Sequence, residues 1–505
     1  MIIDEIIEKI DEGGPKSYYS FEIFVLNLLK HHLQAQSKEL MTSLRIGALA
    51  DAIAPDGFDE FEGSTFIEIK FDLARSLRGG SIVGLNRQLS LLADGEHKID
   101  QLIIISAKPI SSELKLKLRF HIAKLNLPFK VFIWGPKDLN KIVYIHRAKV
   151  NEIVNNIFSL RLESAVRNLP ADWKAERDTY VAKLKESYQK GKFSLFLGAG
   201  VSSSAGMPGW NSLLNSLFVN YLTKEINADG SISNSDINEL VQRLNSIDEP
   251  SALMAARYLR KGLVRNNEEA KGFSSAITKS LYGLRDPEKP IDSPLIKSIA
   301  SMCTPRRTGA KVRSVITYNF DDLLERQLLA NKILHRCIYT EDEVYDADEL
   351  PVYHVHGFLP ESKDNYSDLD KSTLVFSEEG YHKIYSESYH WSNLVQLSNL
   401  RENNCLMIGL SMTDPNLRRL LDISARNIDY TKHYAFMKRI THQSFCSDRR
   451  GDAFESVINN TDAADKFLER HHALNEEIMK ELGVTIIWYE DYNDIPEIVD
   501  NIMAY

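Results

Sequence analysis

The chain has 505 residues, 43% of them apolar and 26% charged, with a formal net charge of −9. That length suits about two to four domains, and the excess of acid excludes a chain that is basic throughout and holds nucleic acid by charge alone. The opening Met-Ile-Ile-Asp-Glu-Ile-Ile-Glu has acids where a signal peptide needs bases, and no apolar run approaches the ~18–20 residues of a membrane span, so a cytoplasmic protein without a membrane partner is expected.

Residues 1–150 carry a pattern of their own. A helix is predicted around Phe21–Gln34, where apolar residues recur at helical spacing. Leu49-Ala-Asp51-Ala-Ile-Ala-Pro-Asp56-Gly57 then leads through a turn at Glu62-Gly63-Ser64 into the strand Thr65-Phe-Ile-Glu68-Ile-Lys70-Phe. A helix containing Gln88 follows. Two further strands are predicted at Asp100–Ala107 and Phe129–Trp134, with an amphipathic helix between them.

Glu68 and Lys70 are two apart on a strand, so their side chains share a face. An acid from the preceding hairpin strand can join them. Asp51 is the first choice, at the head of that strand, and Asp56 the alternative, within a Pro-Asp-Gly turn. This order of elements resembles the restriction-endonuclease-like fold with its PD-(D/E)xK core. The resemblance implies Mg²⁺ at Asp51 and Glu68, Lys70 acting on the attacking water, Gln88 as an accessory, and DNA as a partner. The competing reading is a solvated strand face. Lys108, Lys115, Lys117, Arg119, Lys124, Lys130, Lys137, Lys141, Arg147 and Lys149 gather late in this block, as a phosphate-contacting side or as solvated helix faces.

Residues 151–190 read as helical, with a break at Asn168-Leu-Pro170. They divide the chain into a first domain at 1–150, a helical linker at 151–172 and a second domain at 173–505. That second domain opens on Phe-Ser-Leu-Phe-Leu-Gly198-Ala199-Gly200-Val201-Ser202, an apolar strand delivering a Gly-rich turn to the start of a helix. Such a turn can cradle a pyrophosphate. Residues 213–305 are helical by periodicity, with an Asn-Ala-Asp-Gly-Ser linker at 227–231. Three more strand ends follow: Val-Arg-Ser-Val-Ile-Thr317-Tyr-Asn319-Phe-Asp321-Asp, Val-Tyr-His354-Val-His356-Gly, and Cys405-Leu-Met-Ile-Gly409-Leu-Ser411-Met-Thr-Asp414-Pro. In an open parallel sheet these ends converge on one crevice. Val484–Tyr489 is a last strand, followed by a short helix.

The ordered set Gly-Ala-Gly-Val-Ser, Thr-Tyr-Asn-Phe-Asp, His-Val-His-Gly and Gly-Leu-Ser resembles the sirtuin family, and within it the bacterial sirtuin-like branch of antiviral defence proteins that destroy NAD. The resemblance covers about residues 175–505. It implies a Rossmann-like domain in which Asn319 and Asp321 face the nicotinamide and its ribose and His356 is the general base. Gly198, Ala199, Gly200, Val201 and Ser202 would hold the phosphates, with Pro208, Trp210, Thr317, Gly409, Ser411 and Asp414 also on the cofactor. Simpler structural readings stand beside these roles. Asn319 could cap a helix, Asp414-Pro415 could start one, Trp210 could be packing, and His354 is read as structural.

The chain also departs from the protein-deacylating sirtuins. Cys303, Cys337, Cys405 and Cys446 are scattered, with no C-x-x-C, so no structural zinc is expected, and unpaired thiols suit a reducing cytosol. Pro208-Gly209-Trp210-Asn211 replaces the Pro-Asp-Phe-Arg stretch of deacylases. Residues 213–305 are read as a helical cap in place of the zinc module. The expected chemistry is therefore cleavage of the nicotinamide glycosidic bond through an oxocarbenium-like transition state, with water as acceptor. The resemblance further implies abortive infection by NAD depletion, an activity held off until a phage-derived trigger, a homo-oligomer, and a HerA-type ring ATPase as partner. The alternative function is an Mg²⁺-dependent DNA nuclease regulated by NAD or ADP-ribose. The fold class expected for the whole is α/β.

Overall fold

A computed structural model describes residues 3–42, 50–77, 82–94, 99–169, 172–226, 236, 239, 243, 267–376, 378–387, 389–426, 428, 430–450 and 453–504. The expected linker at 227–231, much of the expected helical cap, Leu49 and Pro170 lie outside them. The chain divides into two compact units. Among the described residues, no helix is long and apolar enough to cross a membrane.

The first unit comprises Met1–Trp173, Ala425–Thr431 and Ile440–Val484. Its sheet runs in the order β1 (Ala52–Ala54), β2 (Thr65–Lys70), β3 (Gln101–Ser106), β4 (Lys130–Trp134). β1 is antiparallel to β2, and the remaining pairs are parallel. Side chains alternate between two apolar layers, as the pleat requires. Ile67, Ile69, Ile103 and Ile105 pack with Phe21, Phe24 and Val25 of the helix Gly14–Gln34. Phe66, Leu102 and Ile104 pack with Leu89 of the helix Ile82–Ala93 and Leu118 of the helix Ser112–Ala123. All six residues of β3 are buried, so it reads as a continuous apolar run rather than an alternating one.

The sequence reading makes 151–172 a linker and assigns the chain beyond it to one domain. In the structure Val150 and Ile153 join the first unit's core. The helix Thr461–Glu481 packs there too, against the helices Ile157–Arg167 and Gly14–Gln34. Arg161 holds that contact: buried, it donates to Glu477 Oε2 at 2.9 Å and Glu481 Oε1 at 2.8 Å.

The second unit comprises Lys174–Ser424, Lys432–Arg439 and Thr485–Tyr505. Its seven-stranded sheet contains β5 (Phe193–Leu197), β6 (Val312–Thr317), β7 (His335–Ile338), β8 (Leu350–His354), β9 (Asn404–Ile408), β10 (His433–Lys438) and the strand Val484–Tyr489. The spatial order is Val484–Tyr489, β10, β9, β5, β6, β8, β7, and the pairs from β10 across to β7 are parallel. After β5 the chain builds outward through β6 to β7 and β8, then returns to lay β9 on the other side of β5. The carboxyl end of β5 is therefore a topological switch point, where open parallel sheets bind ligands. All of β5 is buried, and Leu195, Val315, Val352 and Leu406 pack with Ile299 of the helix Pro294–Met302 and Val499 of the helix Asp494–Met503. Within the stretch expected as a helical cap, the helices Trp210–Ile226, Asn267–Gly283 and Pro294–Met302 are present.

Candidate active site

At the switch point two Gly-bearing turns press together. Gly198 follows β5 and caps the short helix Ala199–Ser204, and Gly409 follows β9. A Cβ on Gly198 would come within 2.6 Å of the Gly409 carbonyl oxygen, and one on Gly200 within 2.7 Å of Gly409 Cα. Gly409 itself has φ +70° and leaves no room, with Val201 N 2.6 Å from the place of its Cβ. Gly198 N–H donates to the Ile408 carbonyl and Gly200 N–H to that of Gly409, both at 2.9 Å. The sequence predicts these amides approaching a pyrophosphate. Here both are bonded to the neighbouring turn, and the glycines serve the close approach of two strand ends.

Asn319 lies just beyond β6, beside that turn. Its Nδ2 donates to the Gly198 carbonyl at 3.0 Å and to Ser202 Oγ at 2.8 Å. With both amide hydrogens engaged, the group Asn319 offers a substrate is the acceptor Oδ1. Its backbone N–H donates to Thr317 Oγ1 at 3.1 Å. Its carbonyl accepts from His354 Nδ1 at 3.0 Å, and the other imidazole nitrogen meets Glu325 Oε1 at 2.7 Å. His354 is thus a buried structural residue that orients Asn319. Burial would lower the His354 pKa, but Glu325, the Asn319 carbonyl and Asp321 together outweigh it and raise it.

Asp321 is buried, and burial pushes its carboxyl up to about 6, against hydrogen bonds from Ser202 and the Leu323 amide. Ser202 accepts from Asn319 and donates to Asp321, so the three form a chain that fixes the Asn319 amide. The resemblance implies that Asp321, with Asn319, faces the nicotinamide and its ribose. The structure turns its carboxylate toward Ser202.

His356 lies past the end of β8. Burial holds its pKa below the usual histidine range, and the Asp414 carboxylate pulls the other way from 3.8 Å. The Tyr318 ring meets its imidazole edge-on, with centroids 4.6 Å apart, and its carbonyl accepts from the Val375 amide. Asp414 has two duties. Oδ1 accepts from Leu417 N–H at 2.7 Å, capping the helix Pro415–Ala425, while Oδ2 is the oxygen that faces His356. Trp210 stacks at a tilt on Phe376 at 4.8 Å, the packing role weighed from sequence. Val201 is in the core, Ala199 and Ser411 are exposed, and Pro208 is half-buried. Ser411 Oγ is bonded to Thr413 Oγ1.

In the first unit, Glu68 is buried and bound to Lys70 Nζ at 2.5 Å, while Asp51 Oδ2 accepts from the Ile69 amide at 2.6 Å. Burial, then Glu68 and Glu22, push the Asp51 carboxyl well above the usual carboxylate range. Burial likewise lifts Glu22 to about 7, with Glu68 and Glu477 adding to the shift and Lys480 and Lys70 opposing it. Lys70 keeps its charge because Glu68, Asp51 and Glu22 outweigh its desolvation. Glu22 was not singled out from sequence. Its one signal is a carboxylate set inside the apolar run Phe21–Leu29. Asp56 stands exposed in its turn, and Gln88 sits half-buried on the helix Ile82–Ala93. Crowded carboxylates that resist ionising together fit a divalent cation, which would relieve their repulsion.

The parallel sheet and its switch-point constellation define a Rossmann-type α/β unit. Residues 313–456, which hold Asn319, His356, Gly409 and Asp414, match the family model described as a SIR2-like domain. A curated relative, the NAD(+) hydrolase ThsA of Enterococcus faecium, is 23% identical over 333 residues, covering 65% of this chain. The chain spans 58% of that relative's length. A solved structure titled "Structural Basis for the Mechanism and Regulation of Sir2 Enzymes" aligns over 64% of this chain and 96% of its own, at 14% identity and a TM-score of 0.28.

Proposed function

We propose that this chain hydrolyses NAD⁺ to nicotinamide and ADP-ribose. The observation that carries the reading is the set of groups at the sheet's switch point, namely Asn319 clamped by Gly198 and Ser202, with His356 and its partner Asp414 at the next strand ends. The C1′–N bond of the nicotinamide riboside breaks with its electron pair leaving on nicotinamide, which departs neutral. Asn319 Oδ1 faces the developing oxocarbenium or holds the attacking water. His356, held neutral by burial at physiological pH, takes the proton that water loses. Asp414 orients the ring and steadies its charge once protonated. The match to a relative named as an NAD(+) hydrolase supports the same reading.

As in the defence branch that the motifs resemble, the activity would serve anti-phage abortive infection by depleting NAD. It would be held off in the cytoplasm until a phage component, an oligomeric state, DNA or a ring ATPase releases it. Nicotinamide release by the purified chain tests the chemistry. Asn319→Ala and His356→Ala are each expected to reduce it by about 10²–10⁴-fold, and release that survives both substitutions overturns the reading.

A second reading rests on Asp51 and Glu68, which Glu22 crowds. We infer that Asp51 and Glu68 would hold Mg²⁺ and that Lys70 would act beside it on a DNA phosphate. The ion would supply Lewis acidity to the phosphodiester. DNA cleavage lost in Glu68→Ala, with nicotinamide release intact, would establish it as a separate activity.

A further inference from the structure

Behind Asn319, three elements bring together donors that the hydrolase reading does not place on the substrate. The helix Leu323–Ala330 supplies Glu325, β7 supplies Cys337, and β8 supplies His354. Their ligand atoms all lie within 4.8 Å of one another, the one such group of three among the described residues. We propose that Glu325, Cys337 and His354 form a binding site for a thiophilic divalent metal ion of the Zn²⁺ class.

The donor set is the first argument. A carboxylate, a thiolate and an imidazole are the side chains that bind Zn²⁺, at about 2.0–2.3 Å. Glu325 and His354 are buried, so the ion would meet little competition from water on that side.

The orientation of His354 is the second. A carbonyl can only accept, so the 3.0 Å contact with the Asn319 carbonyl makes Nδ1 the protonated nitrogen. That leaves Nε2 for a metal, the arrangement in which a backbone carbonyl fixes the tautomer of a ligating histidine. Nε2 now meets Glu325 Oε1 at 2.7 Å, across a shared proton. A metal ion would take that proton's place. Tetrahedral geometry would part the two atoms to about 3.3 Å, a small rotation for a glutamate side chain.

Access is the third. A cleft of about 740 Å³ is lined by both Glu325 and Cys337, together with Asp322, Glu343 and Tyr366. It provides an entry path and room for water as the fourth ligand. Asp322, Glu325 and Glu343 all line it, so the cleft presents carboxylates to an entering cation.

The sequence expectation of no structural zinc rests on the absence of paired cysteines. This site needs only one, with its partners on separate elements. It also lies one hydrogen bond from Asn319, so an ion on His354 would stiffen the residue that the hydrolase reading places on the substrate. The inference does not depend on that reading.

The test uses the full chain, freed of metal with a chelator and titrated with Co²⁺. The expected result is about one equivalent bound, with the near-ultraviolet charge-transfer band of a cobalt thiolate, bleached by added Zn²⁺. Cys337→Ser should lose that band and Cys303→Ser should keep it. Should Cys337→Ser not fold, alkylation of the wild-type chain replaces it. Zn²⁺ is then expected to protect Cys337 from iodoacetamide, read by peptide mass spectrometry. No band in the wild-type chain, a band surviving Cys337→Ser, or equal labelling with and without Zn²⁺ each overturns the proposal.

Discussion

Asp414 gives one carboxylate oxygen to the start of a helix and turns the other toward His356, and the two duties can be separated. Asparagine caps a helix about as well as aspartate, so Asp414→Asn keeps the contact to Leu417 N–H and removes the charge beside the imidazole. The Asp414 carboxylate opposes the lowering of the His356 pKa by burial. Without it the pKa falls further. The acid limb of kcat/KM for nicotinamide release should therefore move to lower pH in Asp414→Asn, with thermal stability nearly unchanged. An acid limb that stays in place would show that His356 is not the titrating base. Asp321 permits a matching test of stability. Its folded pKa of about 6 lies above the unfolded value near ~3.9. Its contribution to stability is complete below pH ~4 and is lost as pH rises through about 6. Asp321→Asn should match the wild type in unfolding free energy from urea titration at pH 4 and exceed it by up to about 3 kcal/mol at pH 8.

The two pressed turns govern the element scale. Gly409→Ala must hold an L residue at φ +70° and place its Cβ 2.6 Å from Val201 N. The backbone term alone is about 1–2 kcal/mol, and separation of the β5 and β9 ends would displace Asn319, which hangs on the Gly198 carbonyl. Loss of both stability and nicotinamide release is expected. Gly209→Ala is the control, since nothing lies within 4 Å of its Cβ position. It should stay within about 0.5 kcal/mol by thermal melting.

These turns were legible in the sequence because each is local, an apolar strand that stops at glycine. The strands expected at Asp100–Ala107 and Phe129–Trp134 likewise stand as β3 and β4. β7 was not legible, because His-Arg-Cys-Ile at a sheet edge is only partly buried and carries no apolar run. Nor were Glu22 and Glu325. Each is one acid on a helix, and its meaning comes from what tertiary packing sets against it, Asp51 and Glu68 in one case, His354 and Cys337 in the other. Periodicity carries no record of such partners. The committed amides of Gly198 and Gly200 were hidden for the same reason, since their acceptors belong to β9 and the turn after it.

At the scale of the whole molecule, the first unit is assembled from chain segments hundreds of residues apart. Arg161 and Glu477 are separated by 316 positions, and both are buried. A fragment ending at residue 173 would leave Arg161 without its carboxylates and the helix Gly14–Gln34 without the Thr461–Glu481 helix against it. In the full chain, Arg161→Ala leaves the buried Glu477 to Lys480 Nζ, at 3.1 Å. Leaving a buried charge with no partner costs about 3–5 kcal/mol, and the retained Lys480 contact sets the loss below that, so a drop in the unfolding midpoint of the first unit is expected. An unchanged midpoint would mean that the returning helix contributes little.

That return also sets a timetable. Domains built from one continuous stretch fold in turn as they leave the ribosome, the N-terminal one first. Here the first unit lacks a packed helix until residue 481 has been made, and the second lacks its edge strand until residue 489. The second then still waits for the helix Asp494–Met503, so the first unit has its last helix before the second does. Any activity housed in the second unit would therefore arise only after the first unit has received its last helix.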